Sequence, residues 1–487
     1  MQSLPDYYAC LNVPRSASTD EIRQAFRKMA RRFHPDANAD PHAAEEFKLI
    51  STAHETLADS AHRAEYDARL TVFDIPFSVE AVYSRSSLRA MPDPQVVYCL
   101  LNVKTIAQTR RITPPLNLCL VIDRSTSMQG ARLDRTKSAA RQIIEGLDEN
   151  DFFSIVAFSD RAEVIFPSQS CENKPLIISQ VNAIQANGGT EILEGLMAGL
   201  LQLQENISPK SINHLTLLTD GRTYGDEENC LLLGVLAESD GIVISGLGIG
   251  DEWNDVFLDQ LTATTGGESL YVHTIEKVED LMIKQVRGIG GTIAQRLRLQ
   301  VTCDADVKLR SAFRVYPESY PIPVDDQPLR IGSIPRTGIS SILLEFIVKT
   351  GSDPRQNISR VSITGDILNI GRIDEKVTAD LTLPIGNSAK PEPPPLAILQ
   401  AMDKLTLYRL QEKAWAAAAE GKVREATQHL EMLASRLLTT GERDLAQMTV
   451  EAASRLGSTN QIPSDAKKRI KYGTRAIISK YKNGVSL

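Results

Sequence analysis

The stretch that most constrains the fold is an apolar run ending in polar residues, LCLVIDRSTSM, over 118–128. A short apolar run that stops at a turn is typical of a central strand of a parallel sheet. The residues from Ala131 onward have helical spacing. The apolar face of that helix consists of Leu133, Ala140, Ile143, Ile144 and Leu147. Asp123, Ser125 and Ser127 are therefore predicted between a strand and a helix, at the carboxyl edge of the sheet, where open α/β folds bind ligands.

These three side chains are hard oxygen donors, which suit Mg²⁺, Mn²⁺ or Ca²⁺ rather than zinc. Taken alone, the D-x-S-x-S pattern is also explained by helix capping, because Ser and Asp are common before a helix. Two further stretches favour metal binding. NGGTEI places Thr190 in a Gly-rich turn before a predicted helix over 191–204, and HLTLLTDG places Asp220 after another apolar strand.

The complete series resembles the metal-ion-dependent adhesion site of von Willebrand factor A (VWA) domains. The implied metal-binding residues are Asp123, Ser125, Ser127, Thr190 and Asp220. The resemblance implies hydroxyl ligands, aspartates that bind directly or through water, and one open position for a carboxylate of a protein ligand. The expected cofactor is Mg²⁺, with Mn²⁺ or Ca²⁺ as alternatives. Alternating strand and helix patterns over 115–290 predict a doubly wound sheet for this domain.

Residues 1–70 are predicted to form a separate helical unit. Ser18 and Glu21 have the spacing of a capping box, and Pro35 stops the helix that they open. A second helix beginning near Pro41 is expected to pack antiparallel against the first. The apolar residues of the two helices are Ile22, Phe26, Met29 and Phe33, and Phe47, Ile50 and Leu57.

The segments DYYACLNV, EIRQAFRKMARRFHPD, EEFKLIS and RAEYD resemble the J domain of DnaJ-type co-chaperones. The resemblance implies that a loop stimulates the ATPase of a DnaK-type (heat-shock seventy) chaperone. The implied loop residues are His34, Pro35 and Asp36. The residues implied to dock the chaperone electrostatically are Arg23, Arg27 and Lys28. His54 departs from the family pattern, because an aromatic residue usually packs there, and a looser core is expected.

The rest of the chain predicts a multidomain α+β protein. Strand patterns over 72–114 and 291–388 favour one β-sandwich in which the VWA domain is inserted. A Pro-rich linker is predicted over 389–396, and a helical bundle packed on the sandwich over 397–460. The basic residues over 461–487 are predicted to form a solvated tail rather than a docking element. No Gly/Phe-rich linker or paired-cysteine zinc region follows the J-like segment, so the chain resembles the third class of J proteins.

Composition narrows the class of protein. The 487 residues are too many for one hydrophobic core. The net charge of −7 does not indicate nucleic-acid binding. No run approaches the roughly 18 apolar residues of a membrane helix, and the start does not resemble a signal peptide. The six cysteines lack C-x-x-C spacing, which favours reduced thiols and a cytoplasmic location.

No catalytic motif accompanies these domains. The sequence shows no nucleophile with a base at motif spacing and no phosphate-binding loop, so no enzymatic activity is expected. The sequence predicts a J-protein adaptor. Its J domain would recruit a DnaK-type chaperone, and its metal-containing VWA domain would bind an acidic side chain of a client or scaffold protein. One alternative is a VWA assembly factor that partners an AAA+ ATPase of the MoxR or chelatase type. Another is a metal-dependent structural module with an inactive J domain.

Overall fold

The structure is a computed structural model. It describes residues 7–11, 13, 17–33, 43–73, 77–105, 114–222, 225–350, 355–368, 371–386 and 393–477. The chain divides into two compact units. The described residues as far as Phe73 belong to the first unit, and those from Phe77 onward belong to the second.

The first unit is helical. Its helices are α1 (Tyr7–Cys10), α2 (Thr19–Phe33), α3 (Ala43–Ala58) and α4 (Ser60–Phe73). The capping box is present, since the Ser18 amide donates to Glu21 Oε2 at 2.7 Å and the Glu21 amide donates to Ser18 Oγ at 3.3 Å. His54 stacks on Phe26 with ring centroids 4.1 Å apart. An aromatic contact between α2 and α3 is therefore kept at the position that departs from the family pattern.

The second unit starts with three strands that precede the α/β domain. They are β1 (Phe77–Tyr83), β2 (Leu88–Arg89) and β3 (Gln95–Thr105). β1 and β3 form an antiparallel pair along the whole of β1. In β3 the alternate residues Val97, Cys99, Leu101 and Val103 are all buried. This alternation indicates a strand with one face in a core.

A six-stranded sheet follows. Its strands are β4 (Leu116–Asp123), β5 (Phe152–Phe158), β6 (Ala162–Ser170), β7 (Ile212–Thr219), β8 (Ile242–Ile249) and β9 (Ser269–Val272). Their order is β6-β5-β4-β7-β8-β9, and only the β5–β6 pair is antiparallel. Every residue of β4 is buried, as expected for a central parallel strand covered on both faces.

Helices cover both faces of this sheet. They are α5 (Ala131–Gly146), α6 (Lys174–Ala183), α7 (Ile192–Gln204), α8 (Glu227–Ser239), α9 (Asp255–Thr265) and α10 (Lys277–Ile289). Helices α5, α6 and α10 share one core with the sheet, and α7, α8 and α9 share the other. The predicted doubly wound domain is confirmed. The sequence patterns did not single out α8.

The strands after this domain complete a sandwich of two five-stranded sheets. They are β10 (Thr292–Cys303), β11 (Val307–Tyr316), β12 (Tyr320–Ile322), β13 (Leu329–Pro335), β14 (Ile339–Val348), β15 (Arg355–Ile367) and β16 (Arg372–Gly386). The sheet orders are β1-β3-β14-β11-β12 and β13-β10-β15-β16-β2. β3 therefore pairs with β14, more than 200 residues later, with Leu101 opposite Ile342. The α/β domain is inserted in the sandwich.

The remaining residues form a helical bundle. Its helices are α11 (Leu396–Ala419), α12 (Val423–Thr439), α13 (Arg443–Thr459) and α14 (Ser464–Ala476). Ile398 and Leu405 of α11 pack against Phe313 and Leu343, so the bundle lies on the sandwich. Within the described ranges, no helix has both the length and the apolar character needed to cross a membrane.

The prediction of a solvated basic tail is wrong for residues 464–477. Lys468 of α14 is 2% exposed, and its Nζ donates to the carbonyls of Asp251 and Trp253 at 2.6 Å each. Lys471 and Arg475 form ion pairs with Asp259 of α9 at 2.8 and 2.7 Å. These basic residues recur on one face of α14 and find acceptors on the VWA domain. Burial is possible because each charge has a partner.

Candidate functional site

The predicted metal ligands lie in loops at one edge of the six-stranded sheet. Asp123 is the last residue of β4, and Ser125 and Ser127 occupy the loop that leads to α5. Thr190 precedes α7, and Asp220 directly follows β7. Because β4 and β7 are adjacent and parallel, their carboxyl ends bring these residues to the same edge.

Asp123 is the most enclosed residue of the site, with no exposed surface. Its Oδ1 accepts from the Ser125 amide at 2.8 Å, and its Oδ2 accepts from Thr219 Oγ1 at 2.7 Å. Burial, with a smaller contribution from the nearby Asp220, raises the pKa of the Asp123 carboxyl to about 6, although the hydrogen bonds from Ser125 and Thr219 partly offset this rise. Among the described residues, no Lys or Arg forms an ion pair with Asp123.

Hydroxyl groups connect the two aspartates. Ser125 Oγ and Ser127 Oγ are 2.9 Å apart, and Ser127 Oγ donates to Asp220 Oδ1 at 2.6 Å. Asp220 is only 2% exposed, whereas Ser127 is exposed. Asp123, Ser125, Ser127 and Asp220 therefore form one hydrogen-bonded group, which reaches the surface at Ser127.

Thr190 joins this group through two glycines. A Cβ at Gly221 would lie 2.8 Å from Thr190 Oγ1, so glycine allows Thr190 to approach the residue after Asp220. Gly188 has a φ of +72°, and its carbonyl accepts from the Thr126 amide at 3.1 Å. The Thr190 loop is thereby fixed to the loop that carries the two serines. The structure brings all five predicted residues together.

Two residues of the site were not predicted from the sequence. Arg132, in the first turn of α5, donates from Nη1 to Asp220 Oδ2 at 2.5 Å and to the Ser127 carbonyl at 3.1 Å. Thr219 orients Asp123, as described above. Thr219 could have been found from the sequence, because it is adjacent to Asp220 in the segment HLTLLTDG. Arg132 had no signal, because its partner lies 88 positions away.

The donor chemistry fits a hard divalent cation. Two buried carboxylates and three hydroxyls offer only oxygen atoms, and Arg132 balances one of the two negative charges. In the part of the chain that the structure describes, no three His, Cys, Asp or Glu side chains form a metal-binding group. A zinc site of the His/Cys type is therefore absent there, whereas a site that shares hydroxyl and carboxylate oxygens suits Mg²⁺ or Ca²⁺.

The predicted chaperone-docking residues lie on α2. The side chains of Arg23, Arg27 and Lys28 are all exposed, and Arg23 forms an ion pair with Asp20 at 3.6 Å. Ile22, on the opposite side of the helix, is fully buried in the core of the first unit. The predicted ATPase-stimulating residues, His34, Pro35 and Asp36, lie outside the described residues.

Three protein families match separate parts of the chain. Residues 6–67 match the DnaJ domain, and residues 117–284 match the von Willebrand factor type A domain. The chain carries a DnaJ domain and a VWA domain. Residues 396–480 match the Sll0103-like C-terminal α-helical domain. This third match covers α11 to α14. The residues of α14, which were predicted to belong to a tail, are therefore part of the same domain as the rest of the bundle.

Each of two relatives matches only part of the chain. The chain is 33% identical over 222 residues to the uncharacterised protein sll0103 of Synechocystis sp., which covers 44% of this chain and 51% of that protein. It is 52% identical over 67 residues to the chaperone protein DnaJ of Dictyoglomus thermophilum, covering 14% of this chain and 17% of the relative. The chain thus spans about half the length of the first relative and under a fifth of the second.

Two solved structures share the fold of the second unit. A von Willebrand factor type A protein from Catenulispora acidiphila superposes with a TM-score of 0.66 and 16% identity, covering 82% of this chain and 96% of that one. The ArnB paralog VWA2 from Sulfolobus acidocaldarius gives a TM-score of 0.51 and 15% identity, covering 83% of this chain and 99% of that one. At these identities the likeness is one of fold.

Proposed function

We propose that this protein is a cytoplasmic J-domain adaptor without an enzymatic activity of its own. Its DnaJ domain stimulates the ATPase of a DnaK-type chaperone. Its VWA domain holds a client or scaffold protein through a divalent cation, Mg²⁺, and an acidic side chain of that partner. The absence of C-x-x-C spacing among the six cysteines supports a reducing compartment.

The observation that carries the VWA part is the charge balance of the site. Asp123 and Asp220 are both buried and lie in one hydrogen-bonded group, and Arg132 is the cation that pairs with Asp220. A buried carboxylate without a cation is unfavourable, and a divalent ion relieves this cost. The same ion, when bound, supplies a Lewis-acidic position at the surface for an incoming carboxylate.

The residues of the chain have distinct parts in this binding. Thr219 and the Ser125 amide hold the Asp123 carboxylate in one orientation. Ser127 is exposed and lies where a partner can approach. In the absence of a cation, an incoming Asp or Glu would meet the charges of Asp123 and Asp220 and be repelled. Partner binding is therefore expected to depend on the metal.

The J-domain part is supported by the DnaJ match and by the basic surface of α2. Arg23, Arg27 and Lys28 are exposed and can attract an acidic surface on the chaperone, which raises the rate of association. The stimulating residues implied by the resemblance are His34, Pro35 and Asp36. Because the two activities reside in separate units, each can be removed without the other.

Titration calorimetry with MgCl₂ alone tests the metal site. The wild-type chain is expected to bind Mg²⁺, and Asp123→Ala is expected to abolish the heat of binding. Asp134→Ala is the matched control, because Asp134 is an exposed acidic residue on the neighbouring helix α5, and it should bind Mg²⁺ like the wild type. No heat of binding in the wild type, with either Mg²⁺, Mn²⁺ or Ca²⁺, would remove the metal from the proposal.

Single-turnover ATP hydrolysis by a DnaK-type chaperone from the same cell tests the J domain. We expect stimulation by the wild type and by Asp123→Ala, and none by His34→Gln. His62→Gln, which changes an exposed histidine of α4, is the matched control and should stimulate normally. Absence of stimulation, together with metal-dependent association with a MoxR-type AAA+ ATPase, would favour the assembly-factor alternative.

A further inference from the structure

Helices α7 and α8 expose an unusual amount of apolar surface. Five large apolar side chains on them are between 41% and 63% exposed. These residues, called here the α7/α8 face, are Met197, Leu201, Leu232, Val235 and Leu236. On each helix they are spaced by three or four positions and so lie on one side. Clustered apolar surface of this kind marks interaction sites, whereas scattered exposed residues are ordinary.

Helices α7 and α8 lie side by side and are joined by hydrogen bonds at both ends. At their N-terminal ends, Asp226 Oδ2 accepts from the Leu193 amide at 3.3 Å. At their C-terminal ends, Gln204 Nε2 donates to Asp240 Oδ2 at 3.0 Å. The opposite sides of both helices are buried in the core beneath the sheet. The exposed residues therefore belong to one continuous and firmly held surface.

A groove extends this surface on the far side of α8. It has a volume of about 560 Å³ and lies between α8, α9 and β12. Its apolar lining consists of Leu231, Leu232, Val235, Ala263, Tyr320, Pro321, Ile322 and Pro323. Leu232 and Val235 belong both to the groove and to the α7/α8 face. A partner seated on the face can thus place side chains in the groove.

The rim of the surface is acidic. The segments 191–205 and 226–240, which contain both helices and their flanks, include no Lys or Arg. Their acidic residues are Glu191, Glu194, Glu205, Asp226, Glu227, Glu228 and Asp240, together with Glu238, which pairs with Arg298 of β10 at 2.5 Å. Glu228 also lines the groove, together with Asp326 and Arg330. A second copy of the chain or an anionic membrane would bring like charges together, so charge complementarity favours a basic partner.

We propose that the α7/α8 face docks a basic amphipathic helix of a partner protein. Parallel helices leave a shallow furrow that accepts the ridge of a third helix. Leucine-like side chains of the partner would cover Leu201, Leu232 and Leu236 and enter the groove. Its Lys and Arg residues would meet the acidic rim. This second binding surface is separate from the metal site and does not need a cation.

Fluorescence anisotropy with a labelled synthetic helix tests the proposal on the full chain. The probe is an amphipathic peptide of Leu and Lys, and its counterpart has the same Leu pattern with Glu in place of Lys. We expect the Leu/Lys peptide to bind, more weakly at high salt, and the Leu/Glu peptide to bind at least about tenfold more weakly. The double variant Leu232→Ser/Leu236→Ser should weaken Leu/Lys binding by about tenfold or more.

Leu438→Ser/Val450→Ser is the matched control. These two residues are 56% and 51% exposed on α12 and α13, so the substitutions remove similar apolar surface elsewhere. The control should bind the Leu/Lys peptide like the wild type, as should Asp123→Ala. Equal binding by both double variants would overturn the proposal, since attraction would then be unspecific. It would also be overturned if the wild type formed a dimer that Leu232→Ser/Leu236→Ser made monomeric in light scattering.

Discussion

Substitution of Asp259 by Asn is expected to release α14 from the VWA domain. Both Asp259 oxygens accept from Arg475, at 2.9 and 2.7 Å, and Lys471 lies 2.8 Å away. Tyr472 also donates to this carboxylate at 2.9 Å. Asn keeps the shape of the side chain and removes its charge. The guanidinium of Arg475 would then be left in a largely buried position without its carboxylate.

The size of the effect follows from burial. Breaking a buried ion pair by removing one partner costs about 3–5 kcal/mol. We expect a cost at the lower end of this range, because Lys471 keeps its ion pair with Asp255 at 2.5 Å and Arg475 is 25% exposed. We expect a loss of about 3 kcal/mol, which at a denaturant dependence of about 2 kcal/mol per molar urea lowers the midpoint by about 1.5 M.

Tryptophan fluorescence provides the assay. The chain has two tryptophans, Trp253 and Trp415. The Trp253 ring lies 5.8 Å from the Tyr472 ring and therefore reports on the docking of α14. In a Trp415→Phe background, urea unfolding followed at Trp253 compares Asp259→Asn with the parent chain. The measured quantity is the difference between the two midpoints.

Asp380→Asn is the matched control. Asp380 pairs with Arg360 in the same two-point geometry, at 2.7 and 3.2 Å, but both side chains are more than half exposed. Its loss should hardly move the midpoint, because exposed ion pairs contribute little. Equal, small shifts for the two variants would refute the reasoning. The apolar contacts of Tyr472 would then hold α14 in place.

Two further predictions concern pH and packing. Burial alone raises the pKa of Asp259, but Arg475 and Lys471 more than offset it and hold the pKa at about 2. The carboxylate therefore stabilises the fold above about pH 4, and the difference in urea midpoint between the parent and Asp259→Asn should shrink as the pH falls towards 2. A constant difference would contradict this. On α12, Leu437→Ala should cost about 2–5 kcal/mol in urea unfolding followed by circular dichroism, and Leu438→Ala under about 0.5, because Leu437 is fully buried and Leu438 is 56% exposed.

Much of the candidate site could be predicted from the sequence because its residues are tied to local signals. Asp123 and Asp220 end apolar runs, and the order of strands and helices is enough to predict that such ends meet at one sheet edge. The hydrogen bond between Ser127 and Asp220 joins residues 93 positions apart, so its geometry needed the folded chain. The pairing of Arg132 with Asp220 had no local signal at all.

The sequence patterns were misleading for two helices, α14, which was predicted as a tail, and α8, which was not predicted. The basic residues of α14 are typical of a solvated tail, and only the carbonyls and carboxylates of the VWA domain explain their burial. α8 was not singled out because its apolar residues do not lie on one side. Cys230 and Ala237 face the core, whereas Leu232 and Leu236 face outward. The residues that weakened the helical pattern are those that form the proposed docking surface.

The sequence by itself determined the features that depend on neighbouring residues. These include the Ser18–Glu21 capping box and the turn at which β4 ends, because backbone preferences and side-chain spacing act over a few positions. Tertiary structure decided which charges are buried, which apolar faces stay exposed, and that β3 joins a sheet with β14. Those outcomes depend on which distant surfaces pack together, since the environment of a side chain is set by residues that its local sequence does not contain.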